Sequence, residues 1–239
     1  MPDTNTLRKQ LWLRLAVAAL CFAFVLPGFA QAQDAQKVLS QMDAASAKFQ
    51  DCQADFTADL FTQVVQDHEI QKGTTAFRRA GNATEMVTHI KTDNGQASER
   101  DLLYKDGQLT FYQPALKQET IFSAGANRGE YDSLLATGFG ASGKDLNAAW
   151  NVTFQGMETV NGINTAKLDL VPKQQAIRNN VSHLTVWIDL ARDISLKQIM
   201  YQPSGDTRTV TYSNIRYNSH LPASMFELHI PSGTQVQRR

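Results

Sequence analysis

The run Gly138-Phe139-Gly140-Ala141-Ser142-Gly143-Lys144-Asp145 comes nearest to a phosphate-binding loop, in which glycine amides cradle phosphates and a lysine reaches them. The next position should carry a hydroxyl for magnesium, but Asp145 stands there and would repel phosphate. The residues before the run, Tyr131 to Ala136, have helical rather than strand spacing, so a glycine-rich joint before a helix start is the plainer reading. Five histidines (His68, His89, His183, His220, His229) are scattered singly, without an i,i+4 pair or a neighbouring cysteine cluster, and no metal site is expected. Cys52 could act as a nucleophile beside a histidine. It opens an amphipathic strand on its apolar face, however, where a small buried hydrophobe is the expected role. There is no G-x-S-x-G elbow. Asp55 and Asp59 project from the polar face of one strand as solvated charges. No catalytic residue, cofactor or metal is expected, and the chain reads as a non-enzyme.

Composition narrows the alternatives. The chain has 239 residues, 42% of them hydrophobic, which suffices for a sizeable core. Basic and acidic residues balance at 23 each, without the basic surplus that nucleic-acid binding requires. Residues 1–32 have the form of a cleavable secretory signal. Arg8, Lys9 and Arg14 precede an apolar stretch from Leu15 to Leu26, Pro27-Gly28 breaks it, and Ala30-Gln31-Ala32 supplies a small-x-small cleavage site. Cys21 follows the large Leu20, which argues against a lipid-anchored form. Cys52 is the single cysteine left after processing, so no internal disulfide can form. A bacterial periplasm is the expected compartment, and residues 33–239 the expected single domain.

Periodicity then supplies the elements. Val38, Leu39, Met42, Ala45 and Phe49 recur at helical spacing. From Cys52 the period becomes two, with Ala54, Phe56, Ala58 and Leu60 on one face. Asn94-Gly95, Asp106-Gly107 and Asn161-Gly162 mark hairpins, because these residues tolerate positive φ. Pro114 should end a strand. Residues 128–150 lack period two and suggest two short helices around the glycine-rich joint. The pattern predicts ten or eleven strands, an N-terminal helix and a helical insertion: a mainly β, incomplete antiparallel barrel.

A sheet that wide must curl, and a concave apolar face partly covered by helices is a ligand cavity. A fully packed β-core fits the periodicity equally well. Alternation proposes Phe56, Leu60, Phe77, Met86, Ile90, Leu109, Phe111, Val186, Ile188 and Met200 as cavity lining, with Leu134 and Leu135 as lid contacts.

Four segments carry a resemblance. A helix over 34–49 leads into Cys52–Leu60, a strand of the type F-x-A-D-F. Gly73-Thr74-Thr75-Ala76-Phe77-Arg78-Arg79 is similar to a G-x-L-x-x-K-R-P segment, with Ala80 in place of the proline. Asp106-Gly107 to Gln113-Pro114, followed by Gln118, is the most specific stretch. Phe226 to Pro231, Gly233 and Val236 match an F-x-x-x-P-x-G-x-x-V ending. In this order they resemble the periplasmic outer-membrane lipoprotein carrier family (LolA-type), whose fold is shared by receptor and sigma-regulator domains. The resemblance implies an incomplete barrel of about eleven strands, a helical lid over a hydrophobic cavity, and Arg79 as the arginine that holds the lid to helix carbonyls.

The function so implied is a soluble, monomeric carrier of lipoprotein acyl chains or another lipid-like cargo. Its implied partners are an inner-membrane releasing transporter and an outer-membrane receptor, with no nucleic acid. The alternative is an envelope lipid or lipoprotein sensor of the same fold that signals through a protein partner. Such sensors carry a second domain after the barrel, and the chain's end at Arg239 leads one to expect the carrier.

Overall fold

The computed structural model describes residues 27–81, 83–123, 125, 132 and 134–239, with side chains from Asp34 onward. The basic and apolar parts of the expected signal, residues 1–26, lie outside the described residues.

Helix α1 (Pro27–Ser46) opens the described chain, with Pro27 at its start, where a missing amide hydrogen costs no hydrogen bond. Its stripe of Val38, Leu39, Met42 and Ala45 is buried as the spacing predicts. Six strands then follow in meander: β1 (Asp51–Thr62), β2 (Asp67–Ala80), β3 (Ala83–Asp93), β4 (Gln96–Lys105), β5 (Gln108–Gln113) and β6 (Gln118–Ser123). Asn94, Gly95, Asp106 and Gly107 all have positive φ, the geometry of tight hairpins whose twist matches the strands. Pro114 ends β5 and begins a 3-10 turn over Pro114–Leu116.

The insertion ends in α2 (Gly143–Ala149), followed by β7 (Trp150–Val160), β8 (Ile163–Pro172), α3 (Gln175–Arg178), β9 (His183–Asp189), β10 (Ile194–Tyr201) and β11 (Thr207–Tyr217). A 3-10 turn (Ala223–Phe226) and β12 (Gln235–Arg238) complete the chain. All twelve strands join one open sheet in the order β12-β6-β5-β4-β3-β2-β1-β11-β10-β9-β8-β7. The two meanders meet where β11 pairs antiparallel with β1. The strand beyond the expected eleven is β12, which runs parallel to β6 through four residues. All four are exposed and polar or singly apolar, so no alternation marked them.

The concave face carries two apolar clusters. Beneath α1 and α2, Val38, Leu39 and Met42 pack with Leu146, Trp150, Leu168, Val186 and Ile188. Beside them Phe49, Phe56, Phe77, Met86, Ile90, Phe139, Ile194 and Tyr212 form the second. On the convex face, the segment carrying Leu221, Met225, Phe226 and Leu228 covers Ala76, Val87 and Leu103. Each of these three neighbours an inward-facing residue, as the two-residue period of a strand requires.

Candidate functional site

Between the sheet and the insertion lies a cavity of about 310 Å³. Phe56 of β1, Phe77 of β2, Met86 of β3, Leu109 of β5 and Met200 of β10 line it, and Leu134 and Leu135 of the insertion close it. Val210 and Tyr212 of β11, Leu102 of β4 and Leu184 of β9 complete most of its apolar wall. Its volume sits at the small end of the range of roughly 300–1,000 Å³ usual for small-molecule sites.

The other five residues proposed as lining sit elsewhere. Val186 and Ile188 are fully buried in the cluster beneath α1. Ile90 is packed in the core opposite Gly73. Phe111 pairs with Leu102 and Thr120 and is half-buried, outside the cavity wall. Leu60 is half-buried between Glu69 and Arg208 on the flanking strands.

The glycine-rich stretch 138–143 is packed. Phe139, only 1% exposed, stacks on Phe77 with ring centroids 3.8 Å apart and meets Tyr212 edge-on at 5.0 Å. It also bridges to Ile194 of β10. Gly140 has a positive φ of 79°, and a Cβ there would lie 2.3 Å from the Phe49 ring. At Gly143 a Cβ would lie 2.1 Å from the Leu39 carbonyl oxygen, so glycine lets the strap press directly on α1. Asp145, which spoils the phosphate-loop pattern, sits in the first turn of α2, where Ser142 is the N-cap: the Asp145 amide donates to Ser142 Oγ at 3.1 Å, and Ser142 Oγ donates to the Asp145 carboxylate at 2.6 Å. The Lys144 amide donates to Asp43 of α1 at 3.0 Å. Farther up the insertion, the Tyr104 hydroxyl donates to the Asp132 carboxylate.

Arg79 fastens this strap. Its Nη2 donates to the Gly140 carbonyl (2.6 Å), to Ser46 Oγ (3.0 Å) and to the Ser46 carbonyl (3.2 Å). Ser46 Oγ in turn donates to the Gly140 carbonyl at 2.7 Å. One guanidinium nitrogen therefore ties the end of β2 to the last turn of α1 and to the insertion. An arginine can do this because its donors diverge and its charge persists near apolar surroundings.

Beneath the latch lies Asp193, fully buried on the β9–β10 turn, whose carbonyl accepts from the Gly140 amide at 3.1 Å. Neither of its carboxylate oxygens has a hydrogen-bond partner. Burial pushes its pKa up to about 8, with the nearby Arg79 charge opposing and Asp43 adding to the rise.

Among the described residues, the candidate catalytic groups considered from the sequence are held apart. Cys52 is buried in the core and its thiol is pushed up to about 12 by burial, the opposite of an activated nucleophile. His68, His89 and His183 each pair with one aspartate (Asp59, Asp101 and Asp169) at 2.6–2.7 Å. Among the described residues no group of three or more His, Cys, Asp or Glu side chains could hold a metal. No helix among them is long and apolar enough to cross a membrane.

Phe139 and Arg208, both in the cavity wall, escaped the alternation rule. Phe139 lies outside any strand, its one signal being an aromatic residue between two glycines. Arg208 is a charge at an inward position, which an apolar template passes over.

No protein-family model and no curated protein matches the sequence. Solved structures are similar in fold. An uncharacterized conserved protein from Thermus thermophilus superposes with a TM-score of 0.54 at 12% identity, over 86% of this chain and 99% of that one. MucB superposes with a TM-score of 0.50 at 12% identity, over 86% of this chain; the chain spans 66% of MucB's length. A domain named for outer membrane lipoprotein sorting, from Vibrio parahaemolyticus, matches at 16% identity and a TM-score of 0.45, over 81% of this chain and 97% of that one. The fold shared with the Thermus protein and MucB is an incomplete antiparallel barrel whose concave face is covered by helical elements.

Proposed function

We propose that the chain is a carrier that holds the acyl chain of a lipoprotein, or of another lipid-like cargo, between its sheet and the insertion and passes it toward the outer membrane. The observation that carries this is the Arg79 latch: an apolar cavity covered by a strap that, beside the packing of Phe139, is tied to the end of α1 by hydrogen bonds from one guanidinium. Each methylene transferred from water into such a cavity contributes about 0.8 kcal/mol. Release therefore needs an opposing term, and reclosure of the strap supplies one, at about 1 kcal/mol for each hydrogen bond regained. Residues 1–32 act in this account as a signal that delivers residues 33–239 to the periplasm. The carrier works as a monomer and leaves its cargo chemically unchanged, receiving it from an inner-membrane transporter and yielding it to an outer-membrane receptor.

A second reading is a sensor that reports bound lipid to a protein partner. The MucB likeness favours it, since MucB has been solved in complex with MucA. A transfer assay separates the two. A dipalmitoylated peptide loaded on the protein should move to acceptor vesicles intact and faster than spontaneous exchange. Binding without any acceleration of transfer would favour the sensor, and failure to bind the peptide would remove both.

A further inference from the structure

Among the described residues of the cavity wall one side chain is charged, Arg208 on β11, on the same face as Val210 and Tyr212 two and four residues on. Its Nε is sealed from solvent and has no hydrogen-bond partner. Among the described residues its guanidinium forms no ion pair within 4 Å. Several other polar groups of the wall are already paired. Thr75 Oγ1 bonds the Val87 carbonyl and Thr88 Oγ1, and Gln198 donates to the Thr137 carbonyl. The carboxylates at this end of the barrel belong to a different arginine: Arg100 lies 2.8 Å from Asp93 and 3.7 Å from Glu69. Glu69 also accepts from Gln71 at 2.5 Å. Burial acts against the charge of Arg208, and the more distant Tyr212 and Glu69 restore part of what is lost. A half-buried cation set in an apolar wall, with one donor sealed and unpaired, is costly, and a binding site is where such a cost is met by a ligand.

We propose that Arg208 anchors the anionic end of an amphiphile whose hydrocarbon chain lies along Val210, Phe77 and Phe139. The chemistry is a carboxylate or a phosphate ester on a single acyl or alkyl chain, which a guanidinium fork can hold through paired hydrogen bonds. A single chain matches the cavity volume of about 310 Å³. The inference rests on the cavity being a lipid site, and it adds that the site selects by charge.

The test is titration calorimetry of the full chain with dodecanoate, dodecyl phosphate and dodecanol, each below its aggregation limit. Both anions should bind at least about tenfold more tightly than the alcohol, as a charge-assisted hydrogen bond predicts. Arg208→Met should bring the three affinities within about twofold while keeping alcohol binding, which shows that the variant is folded; Arg208→Lys should retain a preference for the anions. A stronger preference for dodecanoate would assign a fatty acid, and for dodecyl phosphate a phosphorylated lipid. Equal binding of acid and alcohol by the unaltered protein would overturn the role of Arg208 and leave the lipid cavity standing. Absence of binding by all three would overturn the cavity as well.

Discussion

The rings of Phe77 and Phe139 lie 3.8 Å apart and within 6° of parallel, so a strand of the barrel and the strap that crosses it share one aromatic stack. Phe77 is two residues before Arg79 on β2, which makes this strand both the wall of the cavity and the anchor of its cover.

Truncating Phe139 to alanine should therefore act on stability and capacity together. Loss of a buried phenylalanine costs about 3–5 kcal/mol. Urea unfolding should show that loss, and the variant should accept longer alkyl chains than the unaltered protein because the stacked ring no longer fills the space over Phe77. A stability change under about 1 kcal/mol would mean that the strap is not packed as described.

Arg79→Leu removes the three hydrogen bonds to Ser46 and Gly140. With no reclosure to oppose binding, cargo should be held about a hundredfold more tightly and handed on more slowly. Vesicle-transfer rates measure this directly. Unchanged rates would take Arg79 out of the mechanism.

Asp193 gives the latch a pH dependence. An unfolded aspartate titrates near 3.9, whereas the folded group titrates at about 8. Between these values the folded state binds more protons than the unfolded one, so this residue's contribution to stability falls as pH rises from about 4 to 8. Asp193→Asn, which suits the residue's positive φ of 55°, should stabilise the protein at pH 8, make little difference near pH 4, and flatten the slope between them. Above pH 8 the ionised carboxylate competes with the Gly140 carbonyl for Arg79, so amide exchange at Gly140 should accelerate in the unaltered protein and not in the variant. An Asn variant with the same pH profile as its parent would contradict this.

At Gly140 both the positive φ and the Phe49 ring exclude a side chain. Gly140→Ala should destabilise the protein by more than about 1 kcal/mol and shift the equilibrium toward the open strap, seen as faster ligand exchange. Faster exchange without a stability loss would place the effect in the strap alone.

Much of the frame was legible in the sequence, for identifiable reasons. The stripe from Val38 to Ala45 named the buried face of α1, and the Asn-Gly and Asp-Gly pairs fixed hairpins that positive φ then realises. The family-like Arg-Arg segment pointed to Arg79. Alternation failed where it reports a face but not what covers that face. Leu184, Val186 and Ile188 share one face of β9, yet Leu184 reaches the cavity while the other two lie beneath α1. Position along the strand decides this, and the curl of the sheet decides the position. Arg208 was hidden by its charge and Asp193 by its turn, since burial of either depends on contacts far away in sequence.

The central claim is an apolar cavity that opens to carry a lipid. Native mass spectrometry of the protein purified from the cells that produce it, followed by denaturing release, tests it most directly. The account predicts an adduct that separates as an intact acylated molecule and disappears when Phe77 is replaced by aspartate. A clean mass for the unloaded chain, together with no uptake of added dodecanoate or dipalmitoylated peptide, would contradict it.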